Sequence, residues 1–209
     1  MGCGKNANKV KNTKEPTKLD CTPLVISGPS GVGKGTLIKM LTDGHKNRFA
    51  SSISYTTRQM RPGEAEGVNY YYVTVEVFEK MKADNKFVEC VVYNGNQYGT
   101  AHSEIERLTK LNKVCIMEID VEGAMKIKET KMSANYLFIK PKSADILKDR
   151  LKGRGTETEE VIKQRVEIAL KELSQADTCG VYNHFLVNDE LKESYANMEK
   201  LLKDIYKVI

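Results

Sequence analysis

The run Gly28-Pro29-Ser30-Gly31-Val32-Gly33-Lys34 constrains this chain more than any other part of it. It fills the first seven positions of the pattern GxxxxGK[ST]. A short apolar run at 23–27 precedes it, and Leu37, Ile38, Met40 and Leu41 follow at helical spacing. Strand, glycine-rich turn and helix in that order make a phosphate cradle. Glycines let successive backbone N–H groups converge on phosphate oxygens, and the helix N-terminus adds its positive end. Lys34 adds a full charge that can reach a transferring phosphoryl group. Ser30, Gly31, Val32, Gly33, Lys34, Gly35 and Thr36 are therefore the candidate nucleotide-binding residues. One position departs from the pattern: the eighth residue is Gly35, with Thr36 after it. Gly35 has no hydroxyl for Mg²⁺, so phosphates, waters and another residue must hold the metal, and its direct ligands stay unassigned. Asp120 ends a predicted buried strand. It reads equally as a metal-associated carboxylate or as a helix cap.

Apolar stretches at 114–119, 136–139 and 184–187 predict further buried strands. Helical patterns at about 121–130, 143–151, 158–177 and 190–207 lie between them. In the third, Ile162, Val166, Ala169, Leu170 and Leu173 form one apolar stripe. Alternating strands and helices imply an α/β fold, a parallel sheet covered on both faces. The stretch 50–100 differs. Short strand patterns at 70–73 and 87–92, with turns at 61–63 and 94–96, read as an insertion into the sheet's order.

Composition narrows the class. With 40% apolar and 29% charged residues and a net charge of +5, the chain is an ordinary globular one, not a disordered one. No apolar run approaches the ~20 residues of a membrane span. Cys3, Cys21, Cys90, Cys115 and Cys179 form no CxxC pair, so a reducing cytoplasm is the expected setting. No base-stacking motif with basic interleaving favours a nucleic-acid partner. Residues 1–20 hold five lysines and few apolar residues and predict a disordered basic arm. Met1-Gly2-Cys3 raises N-terminal lipidation and membrane association as an alternative to a plain solvated tail. Asn6 stands where the myristoylation pattern wants Ser or Thr, which favours the tail.

Further blocks follow in order. They are Ser54-Tyr55-Thr56-Thr57-Arg58-Gln59-Met60-Arg61-Pro62-Gly63-Glu64, Glu66-Gly67-Val68-Asn69-Tyr70-Tyr71, Phe87-Val88-Glu89 and Asn94-Gly95-Asn96-Gln97-Tyr98-Gly99-Thr100. After them come Glu118-Ile119-Asp120-Val121-Glu122-Gly123, Arg150-Leu151-Lys152-Gly153-Arg154-Gly155-Thr156-Glu157 and Val187-Asn188-Asp189. With the phosphate loop, this series resembles the guanylate kinase family over roughly 22–205. The resemblance implies a P-loop nucleoside monophosphate kinase fold and phosphoryl transfer from ATP to GMP, with dGMP as a further acceptor and Mg²⁺ required. It implies that Ser54, Arg58, Arg61, Tyr70 and Tyr98 bind the GMP phosphate. Glu89 and Thr100 then read guanine, with Asp120 nearby, and Gly99 is a further substrate-binding residue. Guanine offers N1–H and N2–H₂ donors to a carboxylate, whereas adenine has an acceptor at N1 and no 2-amino group. A mismatch of that kind discriminates by ~10⁴ or more. Singly, each of these residues also reads as a solvated loop charge or a packed strand residue.

The same resemblance assigns Arg154 and Arg165 to the transferring phosphates and Asn188 to the vicinity of the ATP adenine, with Arg150 as a secondary candidate. Lys34, Arg61, Arg154 and Arg165 are the candidate catalytic groups. Gly153 and Gly155 give hinge freedom to a lid that excludes water. No general base is needed, because the acceptor phosphate is already anionic. His45, His102 and His184 fit no catalytic pattern. The expected organisation is a core of 21–50, 105–141 and 176–209, an acceptor region of 51–104 and a lid of 142–175. Two rival readings remain. One is a monophosphate kinase of other base specificity, suggested by the Gly35-Thr36 ending. The other is a guanylate-kinase-like scaffold domain without catalysis, from which an intact Lys34 argues away.

Overall fold

The computed structural model describes residues 19–93, 95–152 and 159–207. Residues 1–18 of the basic arm, the Gly2/Cys3 lipidation motif among them, lie outside the described residues, as do Gly153, Arg154 and Gly155 of the expected lid.

Five parallel strands form the central sheet. They are β1 (Leu24–Ser27), β2 (Phe49–Ser51), β7 (Val114–Glu118), β8 (Asn135–Pro141) and β9 (His184–Asn188), ordered β2-β7-β1-β8-β9. Side chains alternate between its faces. Leu24, Ile26, Leu137 and Ile139 pack under α1 (Lys34–Gly44), α5 (Ala144–Lys152) and α7 (Leu191–Tyr206). Val25, Met117, Tyr136 and Phe138 pack against α3 (His102–Lys110), α4 (Val121–Glu129) and the end of α6 (Glu159–Thr178). Burial on both sides explains why β1 reads as an unbroken apolar run. β1 lies in mid-sheet, so the turn that follows it opens at the carboxyl edge, where α/β sheets bind ligands.

A second sheet stands beside this edge. It joins β3 (Tyr55–Thr56), β4 (Tyr71–Tyr72), β5 (Phe87–Tyr93) and β6 (Asn96–Ala101) in the order β4-β3-β6-β5. β3 and β6 run antiparallel, as do β6 and β5. Gly99 lets β6 approach β5, since a Cβ there would lie 2.9 Å from Phe87 Cδ1 and 3.1 Å from the Glu89 carbonyl oxygen.

Five elements go beyond the sequence expectation, β3 and β6 of the second sheet among them. The sheet-edge strand β2 has only three residues and no periodic pattern to reveal it. Helix α2 (Val75–Ala83) stands where short strands and turns were expected. It buries only Phe78, and its Thr74 cap accepts from the Val77 N–H at 3.3 Å. Helix α3 buries just Leu108 and Glu104, and a buried glutamate is invisible to a hydrophobic-period reading. The strand expected at 70–73 narrows to Tyr71–Tyr72.

Candidate active site

The turn after β1 has its expected form. Gly31 and Gly33 take φ of 85° and 98°. Gly33 caps α1, and a Cβ on it would lie 2.5 Å from Asn188 Nδ2. Only glycine satisfies both its backbone angle and that contact. Lys34 folds back over the loop, donating to the carbonyl of Gly28 at 2.6 Å and of Pro29 at 3.3 Å. Its ammonium lies 3.9 Å from Glu118 Oε1. Burial raises the Glu172 carboxyl on α6, and the charge of Lys34 partly offsets that rise.

Beside the loop lies a cleft of about 410 Å³ between the two sheets. Ser54, Arg58, Arg61, Tyr70, Tyr98 and Gly99 line it, and Glu89 and Asp120 complete its wall. Thr100 stands behind that wall. Its hydroxyl donates to Glu89 Oε1 at 3.1 Å, and the Ser54 hydroxyl, 3.3 Å away, supplies Thr100 with a hydrogen in turn. Burial pushes the Glu89 carboxyl up to about 6; the Thr100 hydrogen bond opposes the rise and the Asp120 charge adds to it. One end of the cleft thus carries a desolvated acceptor.

The other end is cationic and aromatic. Arg58 lies over the rings of Tyr70 and Tyr72, with centroids 5.4 and 5.8 Å from its guanidinium carbon. One guanidinium nitrogen donates to Glu64 Oε1 at 2.8 Å and another to the Gln59 carbonyl at 2.8 Å. Glu64 Oε2 accepts from the Arg61 N–H at 2.8 Å and the Tyr72 hydroxyl at 2.7 Å. Together Arg58, the Arg61 N–H and Tyr72 hold the Glu64 carboxyl at about 2, so it is ionised at any working pH. Glu64 therefore fixes the direction of a bidentate cation fork. Sequence reasoning quoted Glu64 without giving it a role, although its place six residues after Arg58 in one loop is a usable signal. It also passed over Glu118, Val91 and Tyr93, all on the cleft wall.

The remaining expected residues fall elsewhere. Asn188 is 4% exposed and sits behind the phosphate loop, its Nδ2 donating to the Val32 carbonyl at 2.7 Å. Its Oδ1 is buried with no hydrogen-bond partner. Arg150 spends its guanidinium on the carbonyls of Val32, Asn188 and Asp189, at 3.3, 3.0 and 2.8 Å. It ties α5 to the back of the loop. Arg165 is half-buried on α6, and Arg154 lies outside the described residues. Gly35 and Thr36 are both exposed. His45 pairs with Glu199 at 2.6 Å, away from the cleft.

Asp120 caps α4, its Oδ1 accepting from the Gly123 N–H at 2.7 Å. Of its two sequence readings, the cap is the one this hydrogen bond satisfies. No group of three or more His, Cys, Asp or Glu among the described residues forms a metal cage. A half-exposed Glu118 carboxylate beside Lys34 and an exposed Thr36 suit a magnesium ion that takes most of its ligands from phosphates and water.

A cation at a phosphate loop, next to a cleft with an acidic floor and a cationic mouth, can hold two phosphorylated molecules with their phosphates facing. Comparison with known proteins agrees with that arrangement. The family model described as guanylate kinase matches residues 20–205. The guanylate kinase of Schizosaccharomyces pombe is 42% identical over 183 residues, which is 88% of this chain and 91% of that protein. The human guanylate kinase is 37% identical over 182 residues, 87% of this chain and 92% of that protein. Among solved structures, a guanylate kinase from Anaplasma phagocytophilum superposes with a TM-score of 0.65 at 27% identity, covering 91% of this chain and 89% of its own.

Proposed function

This chain belongs to the guanylate kinase family and transfers a phosphoryl group from ATP to GMP, and from that premise we propose how its residues share the work. The cleft between the sheets takes GMP, guanine inward. The single observation that carries this reading is the Ser54–Thr100–Glu89 hydrogen-bond chain, which ends in a buried carboxylate. Guanine N1–H and N2–H₂ donate to Glu89, and Asp120 lies close enough to add its charge. Arg58, Arg61, Tyr70 and Tyr98 grip the monophosphate at the mouth. Gly99 lets the backbone of β6 line the cleft while lying close to β5, because a side chain there would collide with Phe87 and Phe78.

ATP lies with its phosphates along residues 30–36. The loop N–H groups and Lys34 hold the phosphates, and Lys34 follows the charge that develops on the transferred group. The orphaned Asn188 Oδ1 suits the 6-amino group of adenine, which would supply the hydrogen it lacks. Glu118 and Thr36 would help to hold Mg²⁺, which would supply charge neutralisation for the phosphates. The GMP phosphate attacks without a general base, since it is already ionised. Arg165 on α6, together with Arg154, supplies further positive charge to the transferring phosphates.

The same reading places the product GDP in purine nucleotide metabolism. Among the described residues, the four free thiols Cys21, Cys90, Cys115 and Cys179 support a reducing cytoplasm. No helix among the described residues is long and apolar enough to cross a membrane. The test is ADP production from ATP and Mg²⁺ with GMP, dGMP, AMP, UMP or dTMP as acceptor. Turnover with GMP and dGMP alone is expected. An AMP preference would overturn the role given to Glu89.

A further inference from the structure

Glu104 is a buried carboxylate that phosphoryl transfer does not use. Its side chain is only 3% exposed, on the first turn of α3. Arg107 grips it with two parallel bonds, Nε to Oε2 at 2.9 Å and a terminal nitrogen to Oε1 at 2.8 Å. The same Oε1 also accepts from the Ile53 N–H at 3.1 Å. We propose that Glu104 is a positioning residue for the GMP site: it holds the Ile53 N–H and thereby fixes Ser54 against Thr100 and Glu89.

The argument rests on where Ile53 lies. β2 ends at Ser51 and β3 begins at Tyr55, so residues 52–54 carry the chain from the central sheet to the acceptor sheet. Each is tied to a different element. The Ser52 N–H donates to the Ile116 carbonyl on β7 at 2.8 Å. The Ile53 N–H goes to Glu104 on α3. The Ser54 carbonyl accepts from the Tyr71 N–H on β4 at 2.9 Å. Only the middle tie uses a side chain, and it is the one adjoining Ser54. Helix α3 follows directly on β6, which carries Thr100. Glu104 therefore joins the strand entering the acceptor sheet to the strand leaving it, across the Ser54–Thr100 contact.

A buried carboxylate is an expensive partner for one neutral N–H, since its desolvation exceeds what that bond returns. The Arg107 fork offsets this cost and fixes the carboxylate plane, leaving Oε1 aimed at Ile53. Such rigidity serves a site where a displacement of about 1 Å lowers rates markedly. Half-exposed Arg107 can swing into water if its partner changes, so reach to Ile53 and pairing with Arg107 are separable.

This inference rests on the acceptor-site reading above, and one series tests both. The variants are Glu104→Ala, Glu104→Asp, Glu104→Gln and, as a control on the acceptor site, Glu89→Gln. Thermal midpoints are measured for each, with KM for GMP, KM for ATP and kcat below them. Glutamine keeps an oxygen at full reach. Aspartate keeps the charge but withdraws it by about one C–C bond, ~1.5 Å. The expected order of KM for GMP is wild type close to Glu104→Gln, then Glu104→Asp, then Glu104→Ala. The last should rise about tenfold, the effect of one buried N–H left unpaired, with KM for ATP within about twofold. If both KM values rise together, or only the midpoint falls, Glu104 merely supports the fold and the proposal fails. If Glu104→Asp matches wild type while Glu104→Gln is impaired, the ion pair matters rather than Ile53, and the proposal fails again. Should Glu104→Ala not fold, the aspartate and glutamine variants decide alone. A Glu89→Gln enzyme whose kcat/KM for GMP matches wild type would overturn the acceptor-site reading itself, whatever Glu104 does.

Discussion

Replacing Glu89 with glutamine should make the protein more stable and a worse enzyme. Burial raises the Glu89 carboxyl from an ordinary 4.5 to about 6. The folded state therefore holds this proton more tightly than the unfolded chain does. The stabilising contribution of the protonated group is complete below pH 4.5 and is lost as pH rises through 6. Above pH 7 the ionised group leaves the fold about 2 kcal/mol less stable than a neutral group of the same shape. The glutamine amide of the Glu89→Gln variant is that neutral group, with its oxygen still accepting from Thr100. The stability gap between variant and wild type should grow from near zero at about pH 4.5 to about 2 kcal/mol at about pH 7.5, a midpoint shift of about 4–8 °C. Urea unfolding of the nucleotide-free protein across that range measures it. In the same preparation, kcat/KM for GMP should fall about a hundredfold, because the amide offers guanine one acceptor where the carboxylate offers two. A stability gap that stays flat with pH, or a variant less stable than wild type at the alkaline end, would refute the claim that desolvation governs this carboxyl.

Two further outcomes follow from the site. Gly35→Ser should fold, because a Cβ at Gly35 meets nothing within 4 Å, and it should lower the Mg²⁺ concentration for half-maximal turnover by supplying the missing hydroxyl; a magnesium titration of both enzymes checks this. Glu64→Gln should raise KM for GMP about fivefold to tenfold with KM for ATP unchanged, since it weakens the hold on Arg58 and, through the N–H, on Arg61; steady-state kinetics with each nucleotide varied would show an equal effect on both if the reasoning were wrong.

The legible parts of the fold share one property: their signal is local. β1, the glycine turn and α1 lie within about twenty residues, and each position answers to its own backbone or to a neighbour one turn away. β7 and β8 were equally readable, because burial on both faces leaves apolar runs that need no partner to be recognised, whereas β9, expected as a buried strand, lies at the sheet edge and leaves Phe185 and Val187 exposed. β2, α2 and α3 were not readable. Each buries so little that no periodicity rises above the background, and tertiary contact alone makes them regular.

The site divides along the same line. The expected residues stand in fixed local patterns, so sequence located eight residues of one cleft wall, from Ser54 to Asp120. What sequence could not show is who holds them. Thr100 answers to Ser54, 46 residues away, and the Ile53 N–H to Glu104, 51 residues away. Asn188 reaches Val32 across 156 residues, and Arg150 reaches it across 118. Those pairings exist only once the two sheets meet. In an isolated reading, Asn188 is a polar strand residue and Glu104 a solvated helix charge. The structure turns both into buried polar groups, whose geometry matters because burial removes the water that would otherwise forgive an error. The residues that line the cleft can thus be read from pattern, while the residues that hold them in place emerge only from the fold.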